Sequence, residues 1–159
     1  MYPLDYEEIV TKYAQEYELD PHFVMAIIKA ESNFIEDAHS GKASGLMQLT
    51  EETAGWVAEQ LGEDAEKINL NNPRDNIELG CYYIRYLIDY YDGNVDVALA
   101  AYNGGMGNVD KWLENKRYSD DGKSLKDIPF KETREYVKRV NSEKEVYEKM
   151  MSKEARLGQ

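Results

Sequence analysis

Apolar residues return at intervals of three and four along almost the whole chain, and no segment alternates apolar and polar positions long enough to read as a strand. Such spacing places one side of each segment toward a common core at the helical period, so it predicts an all-α fold. Punctuation residues divide the pattern. Tyr6, Ile9, Val10, Tyr13 and Tyr17 form a first stripe that begins at Asp5 and ends near Leu19. Asp20-Pro21 supplies a cap and a first-turn proline to a second helix carrying Phe23, Val24, Ile27, Ile28, Glu31 and Phe34. After a polar loop over residues 36–44, Thr50-Glu51-Glu52 opens a helix through Ala54, Val57 and Leu61. Asn72-Pro73 begins a long helix through Ile77, Cys81, Ile84, Leu87, Ile88 and Tyr91, which Asp92-Gly93 stops.

A shorter helix runs from Val95 to about Tyr102 and gives way to Asn103-Gly104-Gly105-Met106-Gly107, followed by a helix with Val109, Trp112 and Leu113. Residues 115–129 read as an irregular surface loop turning at Ser119-Asp120-Asp121-Gly122. A last helix starts near Lys131 and uses Val137, Val140, Val146, Tyr147 and Met150, with residues 152–159 expected to fray. A chain of 159 residues without repeats or low-complexity linkers is expected to be one domain over 1–159, ordered over about 2–150.

The chemically unusual residue is Glu31, because Val24, Ile27 and Phe34 share its side of the helix. A carboxyl group held partly out of water is disfavoured as an ion, so it can keep a proton to donate as an acid catalyst. The plainer alternative is a glutamate at the edge of the stripe, near the helix end, paired with a neighbouring Lys or Arg.

Four segments occur in order: Glu31-Ser32-Asn33-Phe34, Gly45-Leu46-Met47-Gln48-Leu49, Ala101-Tyr102-Asn103-Gly104-Gly105, and Glu132-Thr133-Arg134-Glu135-Tyr136-Val137. In content and spacing they resemble the motifs of soluble-lytic-transglycosylase-type enzymes, and the similarity runs from about Tyr2 to Tyr147, taking in Asn72-Pro73 and Ile128-Pro129-Phe130. The chain departs from that pattern at Gly104-Gly105-Met106-Gly107, where relatives often carry Ala or Pro among the glycines. The resemblance implies a compact lysozyme-like helical domain of the goose type with a glycan-binding groove. It also implies cleavage of peptidoglycan between N-acetylmuramic acid and N-acetylglucosamine without water, leaving 1,6-anhydro ends, with Glu31 as the catalytic group.

One carboxylate suffices for such a reaction. Hydrolytic glycosidases usually need two carboxyl groups, whereas here the attacking group is the sugar's own C6 hydroxyl, already tethered to the reacting ring. By the same resemblance Ser32, Gly45, Met47, Gln48, Tyr102, Asn103 and Tyr136 are expected to meet substrate. Gly45 would let backbone approach the sugar, Met47 would form apolar wall, and Gln48 offers both a donor and an acceptor. Each has a structural alternative: Ser32 bonded to local backbone, Leu46, Met47 and Leu49 as core, Tyr102 packed and Asn103 as a cap. Glu132 is expected to secure its helix through a buried hydrogen bond.

Other classes are disfavoured. A net charge of −12 without clustered Lys and Arg argues against nucleic acid and against anionic lipid as partners. His22 and His39 stand apart with no second ligand at metal spacing, and Asp92, Asn94 and Asp96 start a calcium-loop pattern that Val97 and Asn103 break, so no metal or cofactor is expected. Cys81 lies in an apolar stripe and reads as an inert core thiol; Trp56 and Trp112 read as packing residues. The expected partner is the glycan strand, met by a monomer that makes no membrane contact of its own. The place of action would be extracytoplasmic, with an export signal or anchor outside this sequence. Two rival functions remain open at this point: a muramidase that uses water on the same bond, and a catalytically silent glycan-binding module.

Overall fold

The computed structural model describes residues 6–158, in which seven α-helices, one turn of 3-10 helix and one small sheet account for the regular structure. Residues assigned to the first stripe before Tyr6 lie outside the described part. Contacts gather into two compact units. One runs through Tyr83 and resumes at Val140; the other is Ile84–Arg139.

In the first unit, α1 (Glu7–Glu16) buries Val10, Tyr13 and Ala14, and Glu7 and Glu8 place negative charge at its positive end. Glu18, at φ 56°, turns the chain into the next helix. There the expected cap forms, with the Asp20 carboxylate accepting the His22 N–H at 2.8 Å and Pro21 in the first turn of α2 (Pro21–Ser32). Phe23 to Ile28 are buried on every side rather than along one stripe, which makes α2 a core helix. It stops at Ser32. Asn33 and Phe34 take left-handed backbone at φ 52° and 64°, so Phe34 leaves the helix it was expected to continue. Its ring is buried between Tyr6, stacked at 6.3 Å, and Tyr147, edge-on at 6.3 Å.

The segment read as loop, residues 36–44, contains two strands of two residues each, β1 (His39–Ser40) and β2 (Ala43–Ser44), and a third, β3 (Leu49–Thr50), follows to complete an antiparallel sheet. His39 pairs with Ser44 and Ala43 with Thr50. Two residues cannot display an alternation, so period reasoning had no purchase on them. Thr50 ends the sheet and caps α3 (Glu51–Gln60) by accepting the Thr53 N–H at 3.1 Å. A turn of 3-10 helix (Ala65–Lys67) then leads toward α4 (Pro73–Tyr90).

The second unit holds the last part of α4, then α5 (Val95–Gly104), α6 (Met106–Leu113) and the start of α7 (Lys131–Leu157). Asn94 caps α5 by accepting the Val97 N–H at 3.1 Å. Gly105, at φ 93° and ψ 141°, is the joint between α5 and α6, so Tyr102 and Asn103 are still helical and the glycine run is less irregular than expected. The loop beyond α6 is folded on itself, as Ser119 Oγ accepts the Gly122 N–H at 2.9 Å and donates to the Ser124 carbonyl at 2.6 Å. α7 extends to Leu157, so most of the stretch expected to fray is helical.

Candidate active site

Glu31 is the penultimate residue of α2, half-buried, one turn beyond the fully buried Ile27 and next to the buried Ser32. Its helix is held by core packing along its length, so the carboxyl group stands on rigid backbone. Ser32 resolves toward its local reading. Its hydroxyl donates to the Ile28 carbonyl one turn back at 3.1 Å and is buried, which ties it to the last turn of the helix.

The loop between β2 and β3 carries Gly45, Met47 and Gln48, and each is engaged inside the protein. Gly45, at φ 85°, lacks room for a side chain, since a Cβ there would overlap the Asn76 amide and the Leu70 carbonyl. Its requirement for glycine therefore comes from the protein's own backbone approach. Met47 is fully buried against Gly80 of α4, where a Cβ would overlap its sulfur, so it belongs to the core and does not form an outer wall. Gln48, at φ 52°, donates from Nε2 to the Ala38 and Gly45 carbonyls at 3.0 and 2.9 Å and accepts from Ser40 Oγ at 2.6 Å. Both amide hydrogens are committed, and only the second lone pair of Oε1 remains as an acceptor.

Asn76 holds the same loop from beneath. It is 0% exposed; its Oδ1 accepts the Met47 N–H at 2.7 Å, and its Nδ2 donates to the Ser44 and Leu70 carbonyls at 2.9 and 3.0 Å. Sequence reasoning passed over this residue. The signal was available: Asn76, Gly80 and Ile84 recur at intervals of four on one side of α4, and a polar side chain there must find partners once buried.

A cleft of about 590 Å³ opens beside this loop, lined by Ser44, Glu51, Ala54, Ile68, Asn69 and Asn71 among others. None of the site residues expected from sequence lines it. Ser44, adjacent to Gly45, is its link to the loop, and Ser44 Oγ lies 3.0 Å from His39 Nδ1.

In the second unit Asn103, near the end of α5, accepts a hydrogen bond from Thr133 of α7 at 2.8 Å. That bond engages Oδ1 and leaves the Nδ2 hydrogens as the amide's outward donors. Asn103 and Thr133 share a surface hollow with Gly104, Pro129, Phe130, Lys131 and Glu132, in which Phe130 is 45% exposed and set edge-on to Trp112 at 4.9 Å. Tyr102 is half-buried on α5, whereas Tyr136, on α7, is only 1% exposed. Glu132 differs from expectation. It is exposed, and the inward hydrogen bond of this motif is made by Thr133, the neighbouring residue that faces α5. Trp56 packs edge-on to Tyr82 and Tyr83, and Cys81 is fully buried, its thiol pushed far up by desolvation and then by Glu16.

Against known proteins, the family model for the Transglycosylase SLT domain matches residues 8–125. A soluble lytic murein transglycosylase of Salmonella typhimurium is 34% identical over 143 residues, covering 87% of this chain and 22% of the relative. The lytic transglycosylase Slt of Pseudomonas aeruginosa, solved as an inactive glutamate-to-glutamine mutant, superimposes with a TM-score of 0.83 at 34% identity, covering 95% of this chain and 25% of that one. The 70 kDa soluble lytic transglycosylase of Escherichia coli gives 0.81 at 30% identity, with 94% and 25% covered. The chain thus spans about a quarter or less of the length of these relatives.

Proposed function

Because the chain belongs to the Transglycosylase SLT domain family, we propose that it is a peptidoglycan lytic transglycosylase domain with Glu31 as its single acid and base. The carrying observation is a half-buried carboxyl group in the last turn of a core helix, within the first of four family-like segments. In the first half of the reaction Glu31 gives its proton to the departing glycosidic oxygen as the bond from muramic C1 breaks. In the second, the C6 hydroxyl of the same sugar bonds to C1 and its proton returns to the Glu31 carboxylate. No atom of water is consumed, and the residue ends as it began. Tethering replaces the positioning that a hydrolase must give to a free water.

Substrate contacts are proposed at Tyr102 and at the outward amide of Asn103, with Tyr136 acting from the interior of α7. Ser32, Gly45, Met47 and Gln48 enter the reading as the frame behind the contact surface, Gln48 keeping one acceptor position for a sugar hydroxyl or N-acetyl N–H. The substrate lies outside the cytoplasm, so the domain works there; among the described residues no helix is long and apolar enough to cross a membrane.

The test is product analysis by mass spectrometry after digestion of purified peptidoglycan. Muropeptides lighter by one water than their reducing counterparts are expected from the wild-type chain. Reducing ends would identify a muramidase, and no products at all a silent binding module. Glu31→Gln should lower turnover by about 10³-fold or more while leaving the unfolding transition in place, as expected for loss of a general acid and base. Retention of full activity would remove Glu31 from its role.

A further inference from the structure

Three main-chain groups from two separate segments, the Met47 N–H and the Ser44 and Leu70 carbonyls, converge on one buried side chain. We propose that Asn76 is a positioning residue for glycan binding, one that holds the loop between β2 and β3 in its substrate-ready conformation; the inference rests on the function proposed above.

Filling the space beneath the loop would not by itself call for an amide. A buried primary amide is tolerated when its hydrogen-bonding groups are matched, and here both Nδ2 hydrogens and Oδ1 are used. What those bonds hold is a loop with two left-handed residues, Gly45 at φ 85° and Gln48 at φ 52°. The side chain of Gln48 grips the other flank through Ala38, Ser40 and Gly45. Two primary amides, one from α4 and one from the loop itself, therefore bracket the same few residues. Ser44 and Leu70, both bonded to Asn76 Nδ2, also line the neighbouring cleft, so this one side chain sets the spacing of two of its walls. A loop ordered before the glycan arrives escapes the ordering cost at binding. The benefit acts on bound substrate and transition state alike, which places it in KM and leaves kcat unchanged.

The discriminating variant is Asn76→Asp, which keeps the volume and the acceptor for the Met47 N–H but turns the donor toward Ser44 and Leu70 into an acceptor facing two carbonyls. On soluble glycan strands at neutral pH the expected result is KM raised about tenfold with kcat within about twofold of wild type, at unchanged far-UV circular dichroism. A folded Asn76→Asp variant with wild-type KM, or with the loss confined to kcat, overturns the proposal. A second measurement covers failure of that variant to fold. In the catalytically disabled Glu31→Gln chain, NMR hydrogen exchange should show the Met47 N–H already protected before glycan is added, with its protection unchanged on titration with a muropeptide tetrasaccharide. Fast exchange in the free chain that slows only on binding also overturns it. Absence of anhydro products from the wild-type chain would instead defeat the reaction assignment, a different readout from the Asn76 comparison.

Discussion

Glu78 offers a quantitative test of the electrostatics in the first unit. Burial pushes its carboxyl up to about 7 from the ordinary 4.5, helped by the charge of Glu63, a side-chain hydrogen bond to Glu63, and the charges of Glu16 and Asp75. Protonated Glu78 donates to the Glu63 carboxylate; once ionised, it faces like charges on α1, on α4 and in the turn after α3. Because the folded value lies above the unfolded one, the folded chain holds more protons between pH 4.5 and 7. The stabilisation is therefore complete below about pH 4.5 and lost as pH rises through about 7. A shift of this size would correspond to about 3 kcal/mol without solvent. Glu78 is only half-buried, and screening reduces the expected effect to about 1–2 kcal/mol. Glu78→Gln replaces the titrating donor by a permanent one. Urea unfolding followed by circular dichroism should show the variant near wild-type stability at pH 5 and more stable by about 1–2 kcal/mol at pH 8, which in thermal unfolding corresponds to about 2–8 °C in Tm. Titrations remote from Glu78 are common to both chains and cancel in the difference. A variant less stable than wild type at pH 8, or a difference that does not change with pH, would refute the assignment.

Other consequences can be checked with the same equipment. Gly45→Ala forces a Cβ onto the Asn76 amide at a left-handed position and should cost about 2 kcal/mol or more in urea unfolding; a loss under about 0.5 kcal/mol would contradict the packing described. Asp20→Ala removes the cap of α2 and should cost about 1 kcal/mol by the same measurement. Cys81, buried and with its thiol pushed up, should react with Ellman's reagent only on unfolding, so rapid native-state labelling would show the core to be open.

What the sequence made legible was local. Asp20-Pro21 and Thr50 cap the helices they were expected to cap, because a cap depends on a side chain and an N–H two or three residues away. Glu31 stood out because a carboxylate interrupts an apolar stripe, and the structure half-buries it. The misses came from effects of longer range. Burial of α2 on all sides depends on what surrounds it, and the Phe34 ring, off the helix after left-handed Asn33, packs against Tyr6 and Tyr147. Glu132 and Thr133 exchanged roles because a shift of one residue on a helix rotates a side chain by about 100°, enough to turn it from solvent to a neighbouring helix.

The loop residues show a deeper ambiguity. A motif match says which positions matter but carries no information about the direction in which a side chain points. In a segment too short for ladders, the main chain must find its hydrogen bonds elsewhere, and the residues able to supply them are the same polar types that would bind a sugar. Gln48 and Asn76 both fill that need, and Gly45 leaves the space that the Asn76 amide requires. Substituting any one of them therefore disturbs a shared network, and its effects on stability and binding should combine non-additively with those of the others. Double-mutant cycles between Asn76 and Gln48, read in KM and in unfolding free energy separately, are thus the way to divide the loop's contribution to the fold from its contribution to the glycan.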